Sequence, residues 1–224
     1  MSTQLRGGVW WIDATGVNAY LLEHEGTLSL IDTGTPLDAR RVRVAIEDAG
    51  FDFDDLDRIL LTHYDIDHVG SLGRLPTDVP VYLGREDVPL FTGDRRPSSR
   101  SVKGFTQRAA HPFVPGVSRD RIVPVDDGQP IGGFTAYHTP GHTPGHTVYV
   151  HEARSVTFLG DLIIELNGSL RPAPWFLCYD ADGLRESIRE FASRSLPFEA
   201  AAMGHGTPLS RHGGDLLAAL SRSV

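Results

Sequence analysis

One nine-residue stretch limits this chain more than any other feature. In Thr62-His63-Tyr64-Asp65-Ile66-Asp67-His68-Val69-Gly70, four side chains able to bind a divalent metal fall within six positions. The preceding Arg58-Ile59-Leu60-Leu61 is an apolar run of strand length, so the cluster begins where a buried strand ends. Side chains of an extended segment alternate in direction, which places His63 and Asp65 on one face. Asp67 and His68 turn away where a helix begins and are free to serve a second centre. Imidazole with carboxylate suits zinc, iron or manganese better than calcium, which prefers all-oxygen ligation.

The rest of the chain reads as strands first and helices later, twice over. Strands are expected at Val9 to Ile12, Asn18 to Glu23 and Thr27 to Ile31, the last closed by Asp32-Thr33-Gly34. Thr35-Pro36 opens a helix with Leu37, Val42, Ala45, Ile46 and Ala49 as its apolar positions, and Gly50 is placed to end it. After the strand that delivers His63, a short helix follows, then a strand at Val79 to Leu83. The second half offers strands at Ile122 to Val125, Phe134 to His138, Thr147 to Val150, Val156 to Leu159 and Phe198 to Met203. Its helices are expected at Ala181 to Ser193 and Asp215 to Leu220. Two similar halves packed sheet to sheet form one domain over residues 1–224.

Three later strand ends supply what the first cluster lacks. His138-Thr139-Pro140-Gly141-His142-Thr143-Pro144-Gly145-His146 is a loop stiffened by proline and glycine that presents histidines. Phe158-Leu159-Gly160-Asp161 is an apolar strand ending in a carboxylate, and Met203-Gly204-His205-Gly206 flanks a histidine with glycines. Each alone is weak, since Gly-His-Gly is more often a turn than a ligand. Their joint occurrence, in this order, is specific.

With these residues the chain resembles the metallo-β-lactamase-fold hydrolases, a superfamily that includes glyoxalase II and the acyl-homoserine lactonases. The family's His-x-His-x-Asp-His motif stands here as His63-x-Asp65-x-Asp67-His68, and its later ligands fall on His142, Asp161 and His205. The likeness runs from about Val17 to Thr207 and implies an α/β (α+β) fold, a four-layer αβ/βα sandwich with two metals at one edge. It implies that His63, Asp65 and His142 hold one ion and Asp67, His68 and His205 the other, with Asp161 between them. It also implies a hydrolase using a metal-bound hydroxide on an ester, lactone or thioester. Paired ions lower the pKa of water from about 16 toward about 7. Asp67 is the residue expected to handle the proton.

Asp65 departs from the pattern, because most relatives carry histidine there. Two divalent ions are expected, with zinc the first choice; the added carboxylate keeps iron and manganese open. His63, Asp65 and His142 also form the 2-His-1-carboxylate grouping of non-haem iron enzymes, so an iron oxidoreductase of flavodiiron or persulfide dioxygenase type is the alternative. No Gly-rich dinucleotide fingerprint accompanies it.

Charge sets the partners. Gly84 to Arg121 carries eight basic residues against four acidic ones, in a chain of net charge -8. The acidic balance argues against nucleic acid. The cationic stretch, irregular from Gly84 to Val117, is expected to be a helix-containing insertion that lids the metal edge and receives a small, anionic substrate through Arg95, Arg96 and Arg100. Lys103 is the sole lysine and reads as compositional bias. One cysteine, Cys178, and the lack of a signal-peptide pattern or an apolar run of membrane length fit a cytoplasmic chain without a membrane partner. His146 is expected to support the site rather than bind metal, and Tyr179 to touch substrate or pack in the core.

Overall fold

The computed structural model describes residues 2–75, 78–99, 101–114 and 116–224, with the side chain of His111 left out of the description. The first half builds a seven-stranded sheet in chain order: β1 (Ser2–Arg6), β2 (Val9–Ala14), β3 (Val17–His24), β4 (Thr27–Ile31), β5 (Leu56–Leu61), β6 (Val81–Gly84) and β7 (Ile122–Val125). Strands β1 to β4 pair antiparallel and β4 to β7 parallel. The second half contributes β8 (Pro130–Ile131), β9 (Phe134–His138), β10 (Thr147–His151), β11 (Val156–Gly160), the hairpin β12 (Ile163–Leu166) and β13 (Ser169–Pro172), and β14 (Ala200–Met203). Its five-stranded sheet runs β14-β11-β10-β9-β8.

Helices cover both outer faces. They are α1 (Ala39–Asp48), α2 (Ile66–Val69), α3 (Val88–Phe91), α4 (Val102–Ala110), α5 (Ala181–Arg194) and α6 (Gly213–Ser221). Strand alternation sorts the core into three layers, one between the two sheets and one beneath the helices on each outer face. On β5, Ile59 and Leu61 pack outward against Val42, Ala45 and Ile46 of α1, while Leu60 faces the second sheet. On β14, Ala200 and Ala202 face the first sheet, and Ala201 and Met203 pack on Leu184, Ile188 and Leu217 of α5 and α6. Strands buried on both faces must be apolar throughout, which is why their sequences show continuous runs. Each fully buried aliphatic or Phe side chain contributes about 1.5–3 kcal/mol. The result is the expected sandwich.

Two local expectations need correction. α1 begins at Ala39 rather than at Pro36, and Leu37 is 87% exposed, not a core position. The Asp38 carboxylate accepts from Thr35 N and Oγ1 and from Thr15 Oγ1, holding 35–38 as a turn that helix geometry would break. The β12–β13 hairpin is absent from the sequence expectations, although its turn, Asn167-Gly168, is the dipeptide best suited to two positive-φ positions (52° and 78°). No helix among the described residues is long and apolar enough to cross a membrane.

Candidate metal centre

Every residue expected at the site arrives at one edge of the sandwich. His63 and Asp65 follow β5, Asp67 and His68 sit on α2, His142 lies in the β9–β10 loop, Asp161 follows β11 and His205 follows β14. One ligand atom from each of His63, His142 and Asp161 falls within 4.8 Å of the others, and the same holds for Asp67, His68 and His205. Asp161 lies between the groups. Its Oδ2 is 3.5 Å from His142 Nε2 and 3.3 Å from His205 Nε2, and its Oδ1 is 3.5 Å from His68 Nε2.

The donor set fits divalent metal on the structure's own terms. His63 Nε2, His68 Nε2 and Asp161 Oδ1 are buried and make no hydrogen bond among the described residues. Leaving such atoms unpaired costs about 1–3 kcal/mol each, a cost that a bound cation removes. Imidazole and carboxylate oxygen are the ligands that zinc, iron and manganese take.

The far sides of these rings are fixed by hydrogen bonds. Asp32, buried and left-handed at φ 57°, accepts from Thr62 N and Oγ1 at 2.8 Å each and from His68 Nδ1 at 2.9 Å. Because Thr62 Oγ1 donates to Asp32, it accepts from His63 Nδ1 at 3.0 Å, and the His63 lone pair is left on Nε2. His205 Nδ1 donates to Gly16 O at 2.9 Å. A buried aspartate held at positive φ marks a site where function outweighs backbone comfort. His146 is no ligand in this arrangement. Its Nε2 accepts from Asp161 N at 3.1 Å and its Nδ1 bonds Thr139 Oγ1 at 2.8 Å, so it positions Asp161.

Electrostatics follow from packing acids and imidazoles together. Burial alone would push the Asp161 carboxyl up, but His68 and His205 beside it hold it well below the usual range. Burial would likewise lower His68 and His205, yet Asp161 with its neighbours Asp32 and Asp67 raises them to about 9 and about 11. His142 is pushed down to about 4 by burial and by Lys103. Burial opposes ionisation of Asp67, and its hydrogen bond from His205 overcomes that and holds the carboxyl below its ordinary value.

Asp65 joins the cluster in company that the sequence did not announce. Its Oδ2 is 3.2 Å from His63 Nε2 and 3.1 Å from His142 Nε2, and it also accepts from Lys103 Nζ, while Oδ1 accepts from Gln107 Nε2. Tyr179 donates to Tyr64 (2.8 Å) and Tyr64 to Gln107 Oε1, a chain of hydrogen bonds that ties α4 to the site. Asp87 joins two ligand loops by accepting from Tyr64 N (3.3 Å), Thr143 Oγ1 (2.6 Å) and Gly145 N (2.6 Å). Lys103, Gln107 and Asp87 were missed. For Lys103 there was a signal, since it is a lone lysine inside the irregular insertion.

The stretch expected to lid the metal edge places one helix, α4, in the wall of a cavity there. A cavity of about 250 Å³ opens on Asp65, Asp67, His142, Asp161 and His205, and α4 walls it with Lys103, Thr106, Gln107 and Ala110, joined by Val114, Leu177 and Ile66. Arg95 and Arg96, two of the three arginines expected to form the cover, stand elsewhere. Arg95 pairs with Glu86 (3.7 Å) and, with Arg96 and Arg108, lines a separate surface cavity; Arg100 lies outside the described residues. Among the described residues, the lysine or arginine that reaches the metal edge is Lys103.

A sequence profile described as the metallo-beta-lactamase superfamily matches residues 12–205. The probable metallo-hydrolase YflN of Bacillus subtilis is 29% identical, over 93% of this chain and 90% of that protein. TTHA1623, solved in a di-iron-bound form, is 27% identical with a TM-score of 0.67, covering 93% of this chain and 95% of that one. BJP-1, a subclass B3 metallo-beta-lactamase of Bradyrhizobium japonicum, superposes at a TM-score of 0.73 with 23% identity, covering 99% of this chain and 89% of that one.

Proposed function

Since this chain belongs to the metallo-beta-lactamase superfamily and is a metal-dependent hydrolase, we propose that it cleaves an ester, lactone or thioester with an apolar body, using two divalent ions. The observation that carries this reading is Asp161 reaching both groups, in which His63 Nε2, His68 Nε2 and its own Oδ1 are buried without hydrogen bonds among the described residues. His63, His142 and Asp161, with Asp65 beside them, would hold one ion, and Asp67, His68 and His205, sharing Asp161, the other. When bound, the ions supply Lewis-acid activation of water and of the scissile carbonyl.

The chain's own residues do the rest. Asp67 lines the cavity with its carboxylate ionised and 38% exposed, so it takes the proton of the attacking water and returns it to the leaving group. His205 holds that carboxylate in place at 3.5 Å. Ile66, Ala110, Val114 and Leu177 exclude water from the acyl side and prefer an apolar group, and among the described residues no arginine lines this cavity. Zinc is the expected metal. Iron and manganese stay open because Asp65 adds a carboxylate, and the di-iron form of TTHA1623 supports iron on a similar chain.

The test is turnover of aryl esters, lactones and thioesters of increasing acyl length by protein reconstituted separately with zinc, iron and manganese. The expected result is metal-dependent hydrolysis that improves with acyl length. Full activity in metal-stripped protein, or no hydrolysis of any of these classes with any metal, would overturn the proposal.

A further inference from the structure

Lys103 is the one lysine among 224 residues, and the structure buries it at the metal edge. Its ammonium bonds Asp65 Oδ2 and lies 2.8 Å from His142 Nε2. Asp65 and His142 are two of the three residues that the metal motif assigns to one ion, and His63, the third, has its Nε2 3.2 Å from the same Asp65 oxygen. The carboxylate that departs from the family pattern and the unique lysine are therefore one feature. Each supplies the charge the other needs in order to be buried.

An ammonium and a divalent cation attract the same oxygen and repel each other at contact distance, more strongly where water is excluded. The single lone pair of His142 Nε2 can serve only one of them, and the ammonium already neutralises the Asp65 charge that would draw the ion. Among the described residues the Asp67, His68 and His205 group holds no ammonium; the protons its histidines carry leave to solvent as metal binds, whereas Lys103 is tethered to α4. Asp67 faces His205, His68 is oriented by Asp32, and the described structure gives neither carboxylate an ammonium contact. Lys103 is held in place as well: Gln107, one turn further along α4, donates to the other Asp65 oxygen and is braced by Tyr64.

We propose that Lys103 is a built-in competitor for the His63/Asp65/His142 metal position. The Asp67/His68/His205 position then loads first and tightly. A second ion enters only when Lys103 releases Asp65 and withdraws with α4 from the cavity wall. This inference rests on the two-ion reading above and adds the order and inequality of loading.

Titration of metal-stripped protein with cobalt or zinc against a chromogenic chelator reads both affinities, and elemental analysis after gel filtration reads what is retained. Wild type is expected to retain about one ion per chain, with the second bound about 100-fold more weakly. Lys103→Met removes the ammonium and keeps the stem, so it should shrink the gap to about tenfold or less and raise retention toward about two ions; Lys103→Arg should preserve the gap. A second measurement needs no variant. Because Lys103 is the only lysine, an amine-reactive reagent read by peptide mass spectrometry reports its exposure alone. Labelling should stay slow through the first equivalent of metal and rise several-fold with the second. Two ions of equal affinity in wild type, an unchanged gap in Lys103→Met, or labelling indifferent to metal would each overturn the inference while leaving the hydrolase reading intact. Failure of wild type to bind any metal would overturn both.

Discussion

His68 Nδ1 lies 2.9 Å from Asp32 Oδ2, a residue 36 positions earlier in the chain. The same carboxylate takes two further hydrogen bonds from Thr62, beside His63. One side chain at the end of β4 thus aims ligands of both metal groups, directly for His68 and through the Thr62 hydroxyl for His63. Thr33 completes the joint, since its N and Oγ1 both donate to His68 O at 2.7 and 2.9 Å.

Asp32→Asn is therefore expected to disorder the ligands without disordering the fold. Whichever way the amide turns, its NH2 meets a donor, either Thr62 N or the pair His68 Nδ1 and Thr62 Oγ1, and the charge facing His68 is lost. Metal affinity should fall about 10–100-fold, the scale for removing an outer partner of a ligating histidine. Chelator competition measures the affinity and circular dichroism checks that the strands and helices persist. Wild-type affinity in the variant would show that Asp32 does not orient His68.

Asp67→Asn tests the proton-handling role. Asp67 pairs with His205, has His68 close by, and opens on the cavity. Loss of its charge should lower kcat about 100-fold or more with little change in thermal stability. The variant's metal content must be measured alongside, because loss of an ion would lower turnover without any proton transfer being involved. A metal-replete variant with near-wild-type kcat would assign proton transfer to another group.

Metal binding should release protons and strengthen as pH rises. In the metal-free protein His68 and His205 are raised to about 9 and about 11, so both are cationic at neutral pH. Coordination requires both neutral, and binding near pH 7 should expel up to about two protons. Calorimetry in buffers of different ionisation heat reads that number. The stability linkage runs the other way for the metal-free chain. A folded-state pKa above the unfolded value of about 6.5 stabilises fully below that pH and is lost as pH climbs through about 9. The metal-free Tm should fall over that window while metal affinity rises; a flat Tm with no proton release would contradict the charge states given.

Gly204→Ala should abolish metal binding. A Cβ there would overlap Asp161 Oδ1 and press on His68 Cε1, so the two carboxylate and imidazole groups must part. Overpacking of this kind costs about 1–3 kcal/mol. Gly7→Ala, where nothing lies within 4 Å of the added atom, is the control. Retention of the wild-type metal content by Gly204→Ala would mean that the edge is looser than its contacts indicate.

Ala110→Asp places a charge in the apolar wall of α4 beside the cavity. KM for long-chain aryl esters should rise about tenfold or more, since an unpaired charge disfavours an apolar acyl group. The double change Arg95→Glu, Arg96→Glu should leave KM near wild type, because those side chains line a different cavity. The reverse pattern would restore the arginines as the substrate-facing cover.

Much of this was legible without coordinates, for a local reason. The ligands His63, Asp65, Asp67, His68, His142, Asp161 and His205 sit where apolar strands stop, and the side-chain types themselves declare metal chemistry. Strands β4, β7 and β9 begin and end where their apolar patterns do. Short-range pattern fails where a polar side chain intervenes, as Asp38 does in delaying α1, or where the turn rather than the strands carries the signal, as Asn167-Gly168 does.

What only the tertiary structure decided is which distant residues meet at those ligands. Lys103 reaches Asp65 across 38 positions and Asp87 reaches Gly145 across 58. The insertion that looked cationic throughout sends one lysine to the metal edge and leaves Arg95 and Arg96 on another surface. Composition and spacing report the chemistry a residue carries and the face of its own strand or helix. The partner that neutralises or orients it depends on how separate elements cross in space, and that is settled by the packing of the two sheets and the lie of α4 against them.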